Sequence, residues 1–461
     1  MLEKRKTSFR WVHFVLLVLA LTLTVRAMQA PPPPPDPGLR VGADGAGGAI
    51  AGLTTKEGKF FDAGLEAFLE KQSVTGTVSG TERGLGPRFN LDSCGGCHAQ
   101  PATGGTSPDP NPQFRATIEP NPIAPGNILP EFITEHGPVR EARFKFTNPP
   151  TNTIRDGGVH DLFVITGRSD AGGCNIAQPE FATALSQGNV IFRIPTPVFG
   201  AGLIESIADS TILKNITDPP TASRHGVTGR ENREGNAGTV TRFGWKAQVK
   251  SLLIFSGEAY NVEQGVTNEA FQQERDETPG CVLNPIPENH TNYELTQPQA
   301  ISSDVVNFAN FMLFLAPPTP FFSGYTSTNL GVVSATDISS GFAVFNSVGC
   351  AVCHRPSMQT ASTSSAALSN QTVNLFSDLL VHHMGSGLAD GITQGLAGDD
   401  EFRTAPLWGL GKRTFFLHDG RTNDLMQAIG AHGGEASTVI GDFNALGTTD
   451  KQNLLKFLRS L

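Results

Sequence analysis

Apolar positions recur with a helical period at three places in this chain. Phe61, Leu65, Phe68 and Leu69 share a face, and Thr54-x-x-Glu57 ahead of them reads as a capping box. A helix is therefore predicted to open the ordered chain at Thr54. Ile338, Phe342 and Phe345 form a second stripe behind a candidate cap, Thr336. Leu454, Leu458 and Leu461 line a last helix opened by Thr449-x-x-Gln452. The first two helices both carry Gly-x-x-x-Phe, at Gly64/Phe68 and Gly341/Phe345, which points to an internal duplication. Between them, residues 100–320 are rich in Pro, Gly, Asn and Thr. Strand-like runs at 143–147, 161–166 and 189–195 are interspersed there with helical runs at 248–260 and 303–315. Pro317-Pro318 with Pro320 is the predicted hinge.

The N-terminus follows another pattern. Lys4, Arg5, Lys6 and Arg10 precede an apolar stretch from Val12 to Val25, and Ala27 or Ala30 offers a small residue for cleavage. The run falls short of the roughly 20 residues of a spanning helix. Pro31 to Pro35 and the glycine-rich stretch through Gly48 read as an exposed, mobile polyproline II spacer. The expected division is a signal peptide at 1–30, a Pro/Gly-rich linker at 31–50, an N-terminal domain at 51–320 and a C-terminal domain at 321–461. About 430 residues after cleavage leave room for two or three cores.

Two pentapeptides change this picture: Cys94-Gly95-Gly96-Cys97-His98 and Cys350-Ala351-Val352-Cys353-His354. Each is the attachment signature of a c-type haem. Two cysteines three apart add to the two vinyl groups of one porphyrin, and the adjacent histidine takes an axial position on the iron. A zinc site would call for a distant second pair of ligands. A thioredoxin-like motif would need a βαβ setting that neither site has. Two covalently bound haem c groups are thus the expected cofactors, with His98 and His354 as iron ligands. The expected fold is mainly α, two cytochrome c-like haem domains, the N-terminal one elaborated by a long loop-rich insertion with short β-strands. Covalent haem attachment in bacteria occurs outside the cytoplasmic membrane, so export and the motifs agree on a periplasmic protein with no membrane span after cleavage. An uncleaved N-terminal anchor is the alternative. In that compartment Cys174 and Cys281 are expected to be bridged rather than free.

A haem with both axial positions filled transfers electrons, and one with an open position binds peroxide or oxygen. For the C-terminal haem the candidate sixth ligands are Met358, His382, His383, Met384, His418, Met426 and His432. His432 comes first: it stands at i+7 from Leu425 and i+3 from Ile429, on the apolar face of a short helix before Gly433-Gly434. Met384 is second. Bis-histidine ligation would give a lower potential than histidine–methionine ligation. No sixth ligand stands out for the N-terminal haem, since His136, His160 and His225 lie in polar, turn-like contexts. Arg403 and Arg421 are candidates for pairing with haem propionates, bidentate guanidinium–carboxylate contacts being favoured. A formal net charge of -9 argues against nucleic acid and anionic membranes and suits a basic electron donor. Phenylalanine is abundant (30 residues) beside three tyrosines, which fits packing around porphyrin edges and ordinary core filling equally well.

The runs GLGPRFNLDSCGGCH, RIPTPVFGAGLIESI, RFGWKAQVKSL, GFAVFNSVGCAVCHRP, FSDLLVHHMG, EFRTAPLWGLG, FFLHDGR and AIGAHGGEA follow in order along residues 54–461. Together they resemble the bacterial di-haem oxidoreductase family of peroxidase-like enzymes, sometimes labelled thiol oxidoreductases. That family is similar to di-haem cytochrome c peroxidases and to a di-haem enzyme that oxidises a protein-bound tryptophan. The resemblance implies a peroxidatic N-terminal haem, a C-terminal haem that receives electrons, and a tryptophan between them, here Trp245. It implies a distal acid at Glu263, and it favours His432 where the peroxidases have methionine. It departs at Leu252-Leu253-Ile254-Phe255, where a distal glutamine would stand, and at His383, where an acid is expected. Glu205 is a reserve acid. Related peroxidases hold a calcium ion between their domains, and no acidic cluster of the sequence decides whether this chain does. The expected function is reduction of hydrogen peroxide with electrons from a small soluble donor, a cytochrome c or a cupredoxin. The alternatives are an electron carrier without peroxide chemistry and an oxidase of an organic or protein substrate.

Overall fold

Local signals set the long helices close to where the apolar stripes put them. The structure, a computed structural model, describes residues 34–118, 123–217 and 225–461. The predicted signal segment lies outside these residues. Helix α1, Thr55–Leu69, starts at the expected capping box and buries Phe61, Gly64 and Phe68. Strand β1, Glu141–Phe144, pairs antiparallel with β2, Val190–Arg193. Helix α2, Leu252–Gln264, is capped by Ser251 and stopped by Gly265 at φ 71°. Helix α3, Asp304–Phe314, is capped by Ser303. In the C-terminal part come α4, Ala335–Val348, then β3, Val381–His383, antiparallel to β4, Glu401–Arg403. Helices α5, Leu425–Gly430, and α6, Thr448–Leu458, complete the chain.

The repeated Gly-x-x-x-Phe has one structural meaning. Helix α1 crosses α3 so closely at Gly64 that an added Cβ would lie 2.3 Å from the Asn307 carbonyl oxygen. Helix α4 crosses α6 at Gly341, where a Cβ would lie 2.0 Å from the Asn453 carbonyl oxygen. The phenylalanines one turn on fill the adjoining cores, Phe68 against Phe311 (ring centres 4.7 Å apart) and Phe345 against Phe457 (5.3 Å). Two helix starts differ from expectation. Ser334, not Thr336, caps α4, because it has the extended backbone an N-cap needs and closes a capping box with Asp337. Helix α6 begins behind Gly447 with no side-chain cap.

The expectation of a mainly α fold is corrected to a mixed one. Seven two-stranded ladders, with strands of two to four residues, pin the Pro- and Gly-rich connections among the described residues. Side-chain amides do the rest: Asn189 both donates to the Phe146 carbonyl and accepts from its N–H. Residues 36–50 are also not a free spacer. The Asp36 carboxylate takes two bonds from Arg459 at 2.7 and 2.9 Å. Arg40 lies over the Phe321 ring at 3.7 Å, and Ile50 N–H bonds to the Phe314 carbonyl. Cys174 and Cys281 are bridged. Residues 36–461 form one compact unit, and none of the described helices is long and apolar enough to cross a membrane.

Candidate functional site

Each Cys-x-x-Cys-His pentapeptide winds into a single helical turn, at Cys94–Cys97 and Cys350–Val352. His98 Nδ1 lies 3.0 Å from the Gly105 carbonyl, and His354 Nδ1 lies 3.1 Å from the Phe376 carbonyl. An imidazole that gives its Nδ1–H to a carbonyl leaves Nε2 as a lone-pair donor with a fixed ring orientation. Burial pushes both histidines down to about 4, so both are neutral.

A cavity surrounds each turn. The first, about 1200 Å³ with its mouth, holds Cys94, Cys97 and His98. The second, about 1400 Å³, holds Cys350, Cys353 and His354. Two thiols, one oriented imidazole nitrogen and largely apolar walls are the donor set and the lining that a haem needs, so the residues fit that group in both places.

The two cavities differ in what else they contain. In the second, His432 faces inward from the end of α5, its Nδ1 2.9 Å from the Ala428 carbonyl. Its ring centre is 6.5 Å from that of His354. Two imidazoles sharing one metal at ~2 Å each would have centres roughly 6 Å apart. Met384 lines the same cavity. The remaining candidates are otherwise engaged. His382 bonds to Asp378 and to Glu435, each at 3.0 Å, and exposed His383 bonds to Asp400. His418 lines the cavity wall, stacked on Phe402 at 4.2 Å. Met358 belongs to a different core, and Met426 packs on the core of α4 and α6.

The first cavity has no second histidine among its described lining residues, and its one thioether, Met312, packs in the core with Phe308 and Phe311. It carries carboxyls instead. Glu263 enters from α2, and Glu141 with Arg143 from alternate positions of β1, on one face of the strand. Burial raises Glu263 well above the usual carboxylate range, and the neighbouring Glu141, hydrogen-bonded to it, raises it further. Burial opposes ionisation of Glu141 too, but the Arg143 and Arg193 guanidiniums more than offset it and hold Glu141 below its ordinary value. Arg143 and Glu141 are ion-paired. The opposite directions of the two shifts favour a proton shared within the pair and residing on Glu263, the member farther from guanidinium compensation. An amide absent from 252–255 is present elsewhere in the wall: Gln264 lines this cavity with Oε1 buried and unpartnered.

Trp245 lines both cavities. Its Nε1 donates to the Ile194 carbonyl at 3.0 Å, and its carbonyl accepts from Arg403 N–H at 2.8 Å. Arg403 is buried at the second cavity. Glu205 and Arg421 are in neither lining. The Glu205 carboxylate accepts the Leu252 N–H at 2.7 Å and so caps α2. Arg421, half-exposed, bonds to Asp419 and to the Gly387 carbonyl. His136, His160 and His225 also lie outside both linings. Sequence reasoning missed Glu141, Arg143 and Arg413. The alternation Glu-Ala-Arg at 141–143 was the available signal for the first two.

Residues 151–461 match the family described as "Di-haem oxidoreductase, putative peroxidase". That span holds Trp245, Glu263 and the second pentapeptide, and the first pentapeptide precedes it. No curated protein matches the chain significantly. Among solved structures, the diheme peroxidase of Burkholderia thailandensis is 15% identical with a TM-score of 0.28, over 58% of this chain and 86% of that one. Hydrazine synthase of Kuenenia stuttgartiensis is 16% identical with a TM-score of 0.22, over 36% of this chain and 56% of that one. At these scores neither likeness bears on function. The family match covers well over half of the sequence, and the chain belongs to the di-haem oxidoreductases, a family of peroxidase-like enzymes with two haem groups.

Proposed function

We propose that this chain is an exported, periplasmic c-type oxidoreductase that reduces hydrogen peroxide at its N-terminal haem. Electrons enter through the C-terminal haem from a small soluble cytochrome c or cupredoxin. Cys94 and Cys97 hold one haem and Cys350 and Cys353 the other, in units that divide near Pro317-Pro318. His98 and His354 are the proximal ligands, and His432, rather than Met384, is the sixth ligand of the second haem. The observation that carries this reading is the asymmetry of the cavities: a second oriented imidazole in one, a buried carboxyl pair and no second imidazole in the other. A haem with a free axial position can bind and cleave peroxide, whereas one with both filled relays electrons.

Converting one hydrogen peroxide into two waters consumes two electrons and two protons. Protonated Glu263 has an O–H to give to the departing oxygen and a second oxygen to receive the proton that the peroxide loses. Glu141 stays ionised beside Arg143 and accepts the Glu263 O–H between turnovers, which keeps that proton in place. Trp245 lines both cavities, and on this reading it relays the electrons between them. Arg403 sits where a propionate of the second haem would be neutralised.

The test is rapid mixing of the fully reduced, haem-loaded protein with hydrogen peroxide, followed in the visible spectrum. Fast loss of the reduced bands, with two electrons consumed per peroxide, is expected. Reduced bands that persist would remove peroxide reduction and leave an electron carrier.

A further inference from the structure

We infer that Arg403 and Arg413 form a two-guanidinium clamp for carboxylates, which takes the propionate edge of the haem in the second cavity and turns it toward Trp245. The inference rests on the reading of that cavity as a haem site.

Both side chains are buried, at 6% and 8% exposure. Both line the second cavity and also the small space behind Trp245 that lies between the two cavities. Arg403 Nε donates to the Gly244 carbonyl at 3.0 Å. No carboxylate of the described residues pairs with either guanidinium, and the Arg413 side chain makes no hydrogen bond to them. Three other buried arginines are matched by carboxylates, Arg193 with Asp390 at 2.7 Å, Arg459 with Asp36 at 2.7 Å and Arg242 with Asp209, and buried Arg40 instead donates to the Thr319 and Asp44 carbonyls and lies over the Phe321 ring. Burial pushes Arg403 and Arg413 down to about 10, and their mutual repulsion adds to this for Arg403.

Two adjacent cations out of water and without an anion are a costly arrangement, and removing the partner of a buried charge is what destabilises such sites. The fold is complete, on this view, only when negative charge enters from the cavity. The planar fork of each guanidinium matches a carboxylate through two parallel hydrogen bonds. Vinyl and propionate groups occupy opposite edges of a porphyrin. Cys350 and Cys353 line only the second cavity, whereas the arginines also border the space next to Trp245. Thioether bonds at one wall and the clamp at the other then fix which edge faces the first cavity.

Arg413→Leu and Arg413→Lys in the haem-loaded protein separate charge from packing. Haem content per chain is measured first, then the midpoint of each haem as a function of pH by potentiometric visible titration. With a facing cation gone, the ferric state is less disfavoured. Arg413→Leu is expected to lower the reduction equilibrium constant of the C-terminal haem at least tenfold, ~59 mV for a one-electron couple. A propionate without its partner also titrates nearer neutrality, so the midpoint is expected to rise as pH falls. Arg413→Lys keeps a charge and is expected to stay close to the parent. The proposal is overturned if Arg413→Leu, with both haems attached, keeps the parent midpoint and pH slope, or if Arg413→Lys shifts as far as Arg413→Leu. If Arg413→Leu does not accumulate, Arg403→Leu and Arg403→Lys give the same comparison from the other half of the clamp. A parent protein with fewer than two haems would instead sink the underlying reading.

Discussion

Glu263→Gln isolates the proton-handling part of the proposed chemistry. The fold favours the neutral form of Glu263, because burial first and Glu141 second raise its pKa. An amide is nearly isosteric with a protonated carboxyl and still donates to Glu141. The exchange of one buried hydrogen bond for another is worth at most ~1 kcal/mol, so stability and the visible spectrum should hardly change. What disappears is the ability to give and regain a proton. General acid–base catalysis contributes roughly 10²–10⁴-fold, or ~2.7–5.5 kcal/mol at ~1.36 kcal/mol per decade. The second-order rate constant for peroxide, read by stopped flow at neutral pH, is expected to fall by that factor. A fall of less than about threefold, far below that range, would remove Glu263 from the mechanism. The linkage has a definite sign. A carboxyl whose folded pKa is raised contributes stability that is fully present below its unfolded pKa. That contribution is lost as pH rises through the folded value, and activity that needs the proton declines over the same range.

Glu141→Gln removes the negative neighbour that helps to raise Glu263, so the alkaline decline of the peroxide rate should move to lower pH. It also strands Arg143, at a cost of ~3–5 kcal/mol visible in chemical denaturation; an unmoved pH profile would mean the two carboxyls do not share a proton. His432→Ala should convert the C-terminal haem from a six- to a five-coordinate spectrum, and an unchanged six-coordinate spectrum would hand the role to Met384. Gly341→Ala forces a Cβ to within 2.0 Å of the Asn453 carbonyl. Overpacking of ~1–3 kcal/mol is offset in part by the ~1 kcal/mol helix preference for alanine. A net loss of about 1 kcal/mol in thermal unfolding is expected, and a gain in stability would contradict the close crossing of α4 and α6.

Local chemistry was legible in the sequence. Thr54 and Glu57 are three residues apart and make the capping box they spell. The two pentapeptides need only one turn of helix to gather their donors, and His432 could be assigned to an inward face from Leu425 and Ile429. Long-range pairing was not legible. Asp36 looked like part of a loose spacer because its partner, Arg459, lies 423 residues away. Arg403 and Arg421 each follow an acid two residues earlier, Glu401 and Asp419; Asp419 pairs with Arg421, whereas Glu401 is taken by Arg230, which leaves Arg403 without a carboxylate among the described residues. Arg413 follows Lys412 with nothing in the sequence to single it out, and only the packing around it shows that it is buried at the second cavity. The mainly α expectation failed for a related reason: Pro- and Gly-rich connections have no period, yet short ladders and amide side chains order them.

The asymmetry between the cavities comes from the element that completes each wall, since the crossing helices and the attachment turns are alike. Helix α5, six residues long, closes the second cavity and leads two residues later to His432, whose Nδ1 is hydrogen-bonded to the Ala428 carbonyl, which orients the ring. Helix α2, thirteen residues long, closes the first and presents Glu258 and Glu263. One wall offers a lone pair and the other offers a proton. Trp245 belongs to the first half by sequence, yet its carbonyl is bonded to Arg403 of β4 in the second. The partition between the cavities is thus held in register by backbone that neither wall supplies. On the proposed reading, a change in α2 or α5 would alter the chemistry in one cavity while leaving the Trp245 partition intact, so the plan of the protein is fixed more firmly than the chemistry at either end.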